Sequence, residues 1–314
     1  MLLSEAIEAL AVATIADGRS LRTATGYRSK LAQLLAFLGD VPVDQVTVTD
    51  LRRFVADLRE RGSRYAGTTA RPEIDGGLSI ATVAGHVRSF KRLFNWLHEE
   101  EIIPSNPSRR IKVPKVPRDE PKAYNVEDLQ RLLAATAGDD PPDLRNRAII
   151  LFLADTGCRV AGVAGLKLAD VDMDRRIAKV TEKGSKSRKV PFSQPTAAAL
   201  AAWLAVRPAN TPYVWSGVAR SSRDYLSAEG IRQMLKRVGR KAGVTGPVNP
   251  HSFRHGFARE YLLSGGDLAT LADLLGHSDV QVTWNSYAIF RTAELQAKHE
   301  KHSPIARMGR EGEL

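Results

Sequence analysis

Residues 147–159 read RAIILFLADTGCR, an apolar run covering every face of a helix, then a glycine, then an arginine two positions on. A helix that is apolar all round must be enclosed by other elements, so this stretch predicts the central helix of a packed domain, ended by Gly157. The flanking segments supply the enclosure. Upstream, Asn125 can cap a helix bearing Val126, Leu129, Leu132 and Leu133. Downstream, RIAKVTEKGSKSRKVPF (176–192) alternates short β-prone runs around a Gly-Ser turn and reads as a β-hairpin with a basic tip. Further helical segments follow as PTAAALAAWLAV (195–206), AEGIRQMLKRVG (228–239), FRHGFAREYLL (253–263) and LATLADLLG (268–276), separated by GVTGPVNP and SGGD. This half is therefore expected to be mixed but mainly helical.

Working outward toward the amino terminus, residues 102–121 break all periodicity with five prolines and a cluster of Arg109, Arg110, Lys112, Lys115 and Arg118. Prolines remove backbone donors and favour extended chain, so 111–121 reads as a basic inter-domain linker. Ahead of it, residues 1–110 read as a second, helical domain. Thr23 can cap a helix with Tyr27, Leu31, Leu34 and Leu38 on one face, and Leu51, Phe54, Val55 and Leu58 repeat that spacing before Gly62. The clearest helix starts after Ser79, where Ile80, Val83, Ala84, Val87, Phe90, Phe94 and Leu97 form a stripe with Arg88, Lys91 and Arg92 on other faces.

Two domains suit a chain of 314 residues. Its 46 Lys and Arg against 35 Asp and Glu give a net charge of +11, which matches a polyanionic partner. No apolar run is long enough to span a bilayer and the start lacks a signal-peptide pattern, so a membrane partner is not expected and the expected location is intracellular. The single cysteine, Cys158, excludes an internal disulfide and a cysteine-built zinc site.

Four patches carry chemistry. They are TGCR (156–159) with Arg159, EKGSKSRKVP (182–191) with Lys183, HSFRH (251–255) with His251 and Arg254 three apart on one helix face, and LLGHSDVQVTWNSY (274–287) with His277 and Tyr287. Singly, each has a bland reading: arginines form surface ion pairs, and histidines and tyrosines pack. Their order and spacing, however, resemble the tyrosine recombinase (phage integrase) family, whose members carry an Arg, Lys, His-x-x-Arg, His or Trp, and Tyr series. TGCR is similar to the family's TGxR box, the hairpin to GKGxKxRxVP, HSFRH to HxLRH and LLGHSD to LGH[SK]. RTATGYRSKLAQLLAFLG (22–39) and SIATVAGHVRSFKRLFNWLHEEEIIPSNP (79–107) are similar to the family's amino-terminal domain.

The resemblance implies an α-helical, SAM-like core-binding domain and, over 122–314, a catalytic domain of DNA breaking–rejoining fold with a small β-sheet and a carboxyl-terminal tail. It implies site-specific cleavage and rejoining of double-stranded DNA through a 3′-phosphotyrosyl link to Tyr287. A tyrosine with a pKa of about 10 is a poor nucleophile at neutral pH and needs a base and nearby positive charge. Arg159 and Arg254 would clamp the phosphate oxygens, His251 would act as general acid or base, and His277 would bond the phosphate. Lys183 would protonate the departing 5′ oxygen, with Lys186 as the fallback acid. No metal or other cofactor is implied. Candidate DNA contacts are Arg88, Lys91, Arg92, Arg109, Arg110, Lys112, Lys115, Lys186 and Arg188. Members of the family work as homotetramers on paired sites, some with accessory proteins, in the bacterial or phage-infected cytoplasm.

Other readings are weaker. His251 and His255 stand four apart as in a zinc helix, but Ser252 replaces the glutamate of HExxH, and EKGSK lacks the spacing of a P-loop. Tyr225 and Tyr261 read as packing residues and Trp284 as a core residue. A type IB topoisomerase shares the residue set, and a catalytically idle DNA-binding scaffold is the alternative from another class. Two departures bear on it: the His277 to Tyr287 interval is ten residues where many members have nine, and Gly162 stands where relatives carry an acidic residue three after the first arginine, so that the carboxylate must be missing or come from elsewhere.

Overall fold

The computed structural model describes residues 1–64, 74–117, 122–182, 187–217 and 225–277, with single positions at 281, 283, 284, 299, 300, 303 and 305. Lys183, Lys186, Arg118 and Tyr287, and the segment 288–298 of the tail, lie outside the described residues. The chain divides into two compact units, Met1–Arg118 and Asp119–Leu314.

The first unit is helical: α1 (Leu3–Ala16), α2 (Leu21–Leu38), α3 (Val48–Glu60) and α4 (Ile80–Glu99), with a two-stranded ribbon of β1 (Ser63–Arg64) and β2 (Ile74–Asp75) before α4. Side-chain caps set the starts. Ser79 Oγ accepts from the Thr82 amide and Thr47 forms a capping box with Asp50. In α2 the cap is Ser20, not Thr23, because Ser20 Oγ takes the Thr23 amide and starts the helix earlier. Val83, Val87, Phe90, Phe94 and Leu97 of α4 are buried together with Leu31, Leu34, Phe54 and Leu58, whereas Ile80, at the first turn, is exposed. Ile111 and Val113, from the proline-rich stretch, also pack on this core.

In the second unit α5 (Val126–Ala134) begins at Asn125, whose side chain accepts from the Asp128 amide. The central helix is α6 (Pro141–Thr156), capped by Asp140 and closed by Gly157 in the left-handed conformation. It packs against α8 (Gln194–Val206), α9 (Ala228–Lys241), α10 (Pro250–Leu263) and the short α7 (Val160–Ala164). Beside them lies an antiparallel sheet in the order β3 (Val171–Asp172), β4 (Ile177–Thr181), β5 (Ser187–Pro191), with Ile177 opposite Pro191 and Thr181 opposite Ser187. Ala178, Val180 and Val190 face the core while Lys179 and Lys189 face out, as a half-buried sheet requires. The last described helix, α11 (Leu268–Leu275), packs on α10.

Candidate active site

Two helix ends make the site. Gly157 closes α6 with φ +57° and Gly276 closes α11 with φ +65°, and neither tolerates a side chain: a Cβ on Gly157 would stand 2.6 Å from Phe257 Cδ1, and one on Gly276 2.6 Å from Arg188 Nε. Glycine is needed for the conformation and for the close approach alike. Arg159 follows the first glycine by two residues, as the residue before α7, and His277 follows the second directly.

Arg254 joins the two ends. On α10 the Asn249 cap and the fully buried Phe253 fix the helix phase, which turns Arg254 inward to 5% exposure. Its Nη1 donates to Gly157 O at 2.9 Å, and its Nη2 donates to Leu275 O at 2.8 Å and to His277 Nε2 at 2.7 Å. The last carbonyls of a helix lack partners within it and carry partial negative charge, so a buried guanidinium satisfies them and is satisfied in turn. Because a guanidinium only donates, His277 Nε2 must be the acceptor, and Nδ1 then carries the proton and donates to Thr283 Oγ1 at 2.5 Å. Burial, with Arg254 and Arg159 nearby, pushes the His277 pKa down to about 4, so the ring is neutral at working pH.

Arg159 meets a carboxylate that the sequence reading did not single out. Its guanidinium pairs with Glu182 Oε2, its amide donates to Glu182 Oε1 at 3.3 Å, and Arg188 Nη2 pairs with that same oxygen at 3.2 Å. The Glu182 side chain is only 6% exposed. Burial alone would raise its pKa, but Arg188 and Arg159 outweigh it and hold the carboxyl below its ordinary value. A signal was available: Glu182 continues the inward parity of Ala178 and Val180, and Arg188 shares the inward parity of Val190. Arg188, expected at a DNA surface, is accordingly turned into the site, where it also donates to Leu274 O and lies 3.6 Å from Cys158 Sγ.

His251 is on the exposed side of α10, its ring stacked on His255 with centroids 6.4 Å apart. Burial and the neighbouring His251 and Arg254 lower the pKa of the half-buried His255. The structure thus brings together Arg159, Arg254, His277 and Arg188, and sets His251 one helical turn before Arg254 facing solvent. Trp284, read as a core residue, is 45% exposed, while its neighbour Thr283 is buried on His277, so the apolar character of the tryptophan was a poor guide. Tyr261 packs on Phe257, as a packing residue should, whereas Tyr225 lies against Tyr213 but is 41% exposed.

The other candidate DNA contacts in the first unit divide into two kinds. Arg88, Arg109, Arg110, Lys112 and Lys115 are exposed. Arg92 pairs with Glu99 at 3.4 Å, and Lys91 is turned inward, its Nζ donating to Ser108 O at 2.6 Å and Ile111 O at 2.9 Å, which fastens the basic strap to α4.

Comparison with known proteins agrees along most of the chain. The Phage integrase family model matches residues 123–293, and the model of the phage integrase N-terminal SAM-like domain matches residues 11–74. The tyrosine recombinase XerC of Alcanivorax borkumensis is 32% identical over 83% of this chain and 81% of its own, and the XerC of Mycobacterium tuberculosis is 32% identical over 92% of this chain and 95% of its own. Among solved structures, the Tn1549 transposon integrase in complex with transposon right end DNA superposes with a TM-score of 0.75 at 20% identity, covering 96% of this chain and 99% of that one. A lambda integrase dimer bound to a core site superposes with a TM-score of 0.70 at 15% identity, covering 90% of this chain and 97% of that one.

Proposed function

The chain belongs to the phage integrase family, and we propose that it is a site-specific DNA recombinase that breaks and rejoins duplex DNA through a 3′-phosphotyrosyl intermediate on Tyr287. One observation carries this reading: Arg159, Arg188 and Arg254 converge on two adjoining helix ends, and among the described residues a single carboxylate, Glu182, pairs with Arg159 and Arg188. Such a surplus of permanent positive charge suits a phosphodiester whose transition state gains negative charge. Arg159, with 38% of its side chain exposed, is the guanidinium best placed to receive a non-bridging oxygen.

In the proposed step the Tyr287 oxygen forms a bond to phosphorus as the bond from phosphorus to the 5′ oxygen breaks. The phenolic proton passes to His251, whose exposure leaves its ring accessible, and the departing 5′ oxygen takes a proton from Lys183. Attack by the 5′ hydroxyl of another strand reverses these transfers, so the bond energy is retained. His277 takes a different part from the phosphate ligand expected from sequence. Both of its ring nitrogens are committed, one to Arg254 and one to Thr283, so in this arrangement it orients Arg254.

The partner proposed is double-stranded DNA, a reading supported by the DNA-bound integrases that share the fold and by the net charge of +11. A homotetramer on two paired sites is the proposed working assembly, assisted where needed by DNA-bending or directionality proteins. No helix among the described residues is long and apolar enough to cross a membrane, and the cytoplasm is the proposed location.

A duplex nicked near the cleavage site tests the reading, because loss of the short fragment traps the intermediate. The parent should become covalently attached to a 3′ phosphate and Tyr287→Phe should not. Tight binding without any adduct would establish the idle scaffold instead, and relaxation of supercoils without exchange between two sites would establish a topoisomerase.

A further inference from the structure

We infer that Glu182 is the positioning carboxylate of this active site, supplied from the β-hairpin, and that Gly162 lacks a side chain because Glu182 fills that space; the inference rests on the recombinase reading. Two sets of contacts carry it. First, the Glu182 carboxylate takes the Arg159 guanidinium and the Arg159 amide at once, and a second guanidinium, Arg188, from the other side. A residue held both at its backbone amide and at the tip of its side chain has few orientations left, so Glu182 aims Arg159 without itself reaching a substrate.

Second, the glycine and the glutamate exclude each other's alternatives. Gly162 lies within α7, where glycine costs helix stability relative to alanine. A Cβ there would stand 3.3 Å from Glu182 Cγ and 3.4 Å from Val180 Cβ, so an acidic side chain growing from position 162 would run into the one already present. The family resemblance puts an acidic residue three positions after the first arginine, which is Gly162 of α7 here, whereas this chain brings a carboxylate to Arg159 from the end of β4. The charge balance is kept: two guanidinium groups share one carboxylate, and the surplus positive charge remains for the phosphate.

The test uses the full-length protein, the nicked duplex and four variants, with the single-turnover rate of adduct formation read beside duplex affinity and the thermal unfolding midpoint. Glu182→Gly should slow adduct formation about 10- to 100-fold, the usual range for a misaimed catalytic group, with duplex affinity little changed. Glu182→Gln, which keeps an acceptor but loses the charge, should fall between it and the parent. Gly162→Glu alone should be slow from crowding, and Gly162→Glu combined with Glu182→Gly should be faster than either single variant, since residues in contact do not act additively. If Glu182→Gly does not fold, the Gln variant and the double variant carry the comparison. A merely structural glutamate would lower the unfolding midpoint and leave the rate of the folded fraction unchanged, and that result overturns the inference, as does a double variant no faster than the slower single one. A parent that forms no adduct overturns the recombinase reading and this inference together, whereas an active parent beside an equally active Glu182→Gly overturns this inference alone.

Discussion

The two units put the same residue types to opposite uses. In the first, Arg88, Arg109, Arg110, Lys112 and Lys115 project into solvent. In the second, Arg254 is 5% exposed and bonded to two helix ends, and the Arg188 side chain is 15% exposed and pinned to Glu182 and to Leu274 O. An exposed cation is screened by water and salt and contributes little to folding, whereas a buried one must satisfy its donors within the protein or destabilise it. On the proposed function, the difference teaches that the recombinase chemistry and the stability of the second unit would depend on the same side chains, while attraction to DNA by the first unit could be changed without disturbing its fold.

The strongest challenge to that contrast is Arg254→Lys. An ammonium is a compact charge that cannot span Gly157 O, Leu275 O and His277 Nε2 from the guanidinium's planar fork. We expect a loss of about 2–4 kcal/mol in urea unfolding, as when buried acceptors lose a charged donor, together with a fall in adduct formation of about 100-fold or more. Unfolding at the parent's urea midpoint would show that the helix ends are held by something else. Gly276→Ala comes next. It forces φ +65° on a residue with a Cβ and drives that carbon to 2.6 Å from Arg188 Nε, so a cost of about 2 kcal/mol is expected, and an unshifted midpoint would deny the close packing of hairpin against helix end.

A pH titration sharpens the same point. His277 has its pKa lowered to about 4 against an ordinary 6.5, so between those values the unfolded chain binds a proton that the folded site refuses. Stability linked to His277 is therefore complete above about pH 6.5 and drains away as pH falls toward 4, where the unfolded state holds more protons. Since the ring is only half-buried, the effect should stay near 1–2 kcal/mol after solvent screening. His86 and His255 are shifted in the same direction, by burial first, and contribute to the same slope. His277→Asn should flatten the curve in that window, and an unaltered slope would assign it to the other two.

How much of this could be read beforehand depended on range along the chain. The Ser79 cap and the buried stripe of α4 were legible because both arise within one helix, and the error at Thr23 was a local competition with Ser20 for the same amide. The two glycines that end α6 and α11 were legible as punctuation, whereas the histidine and arginine of α10, expected on one face from their spacing, part company, with Arg254 buried at 5% exposure and His251 turned to solvent. Glu182 was half-legible: strand parity turned it inward, but its partners, Arg159 and Arg188, come from separate elements and meet it only in the folded sheet. Lys91 was not legible at all. Its sequence neighbours suggest a surface cation, and only the return of the strap over α4 brings the carbonyls of Ser108 and Ile111 to its ammonium.

That clasp sets up the mildest and most selective comparison. Lys91→Met should cost about 1 kcal/mol, the worth of a charged hydrogen bond near the surface, and should free the strap without removing an exposed charge. Arg109→Ala and Arg110→Ala should leave unfolding within about 0.5 kcal/mol of the parent, because both side chains are exposed and neither anchors the core. Their effect belongs to DNA affinity instead. If each meets a phosphate, each substitution should shallow the plot of log affinity against log salt by about one, the count of counterions no longer released, and should weaken binding alike on cognate and random duplex. An unchanged slope for both would detach the strap from the DNA. A changed slope for Lys91→Met as well would then mean that the clasp matters for how the strap is presented, since its ammonium is already spent on two carbonyls and has little left for a phosphate.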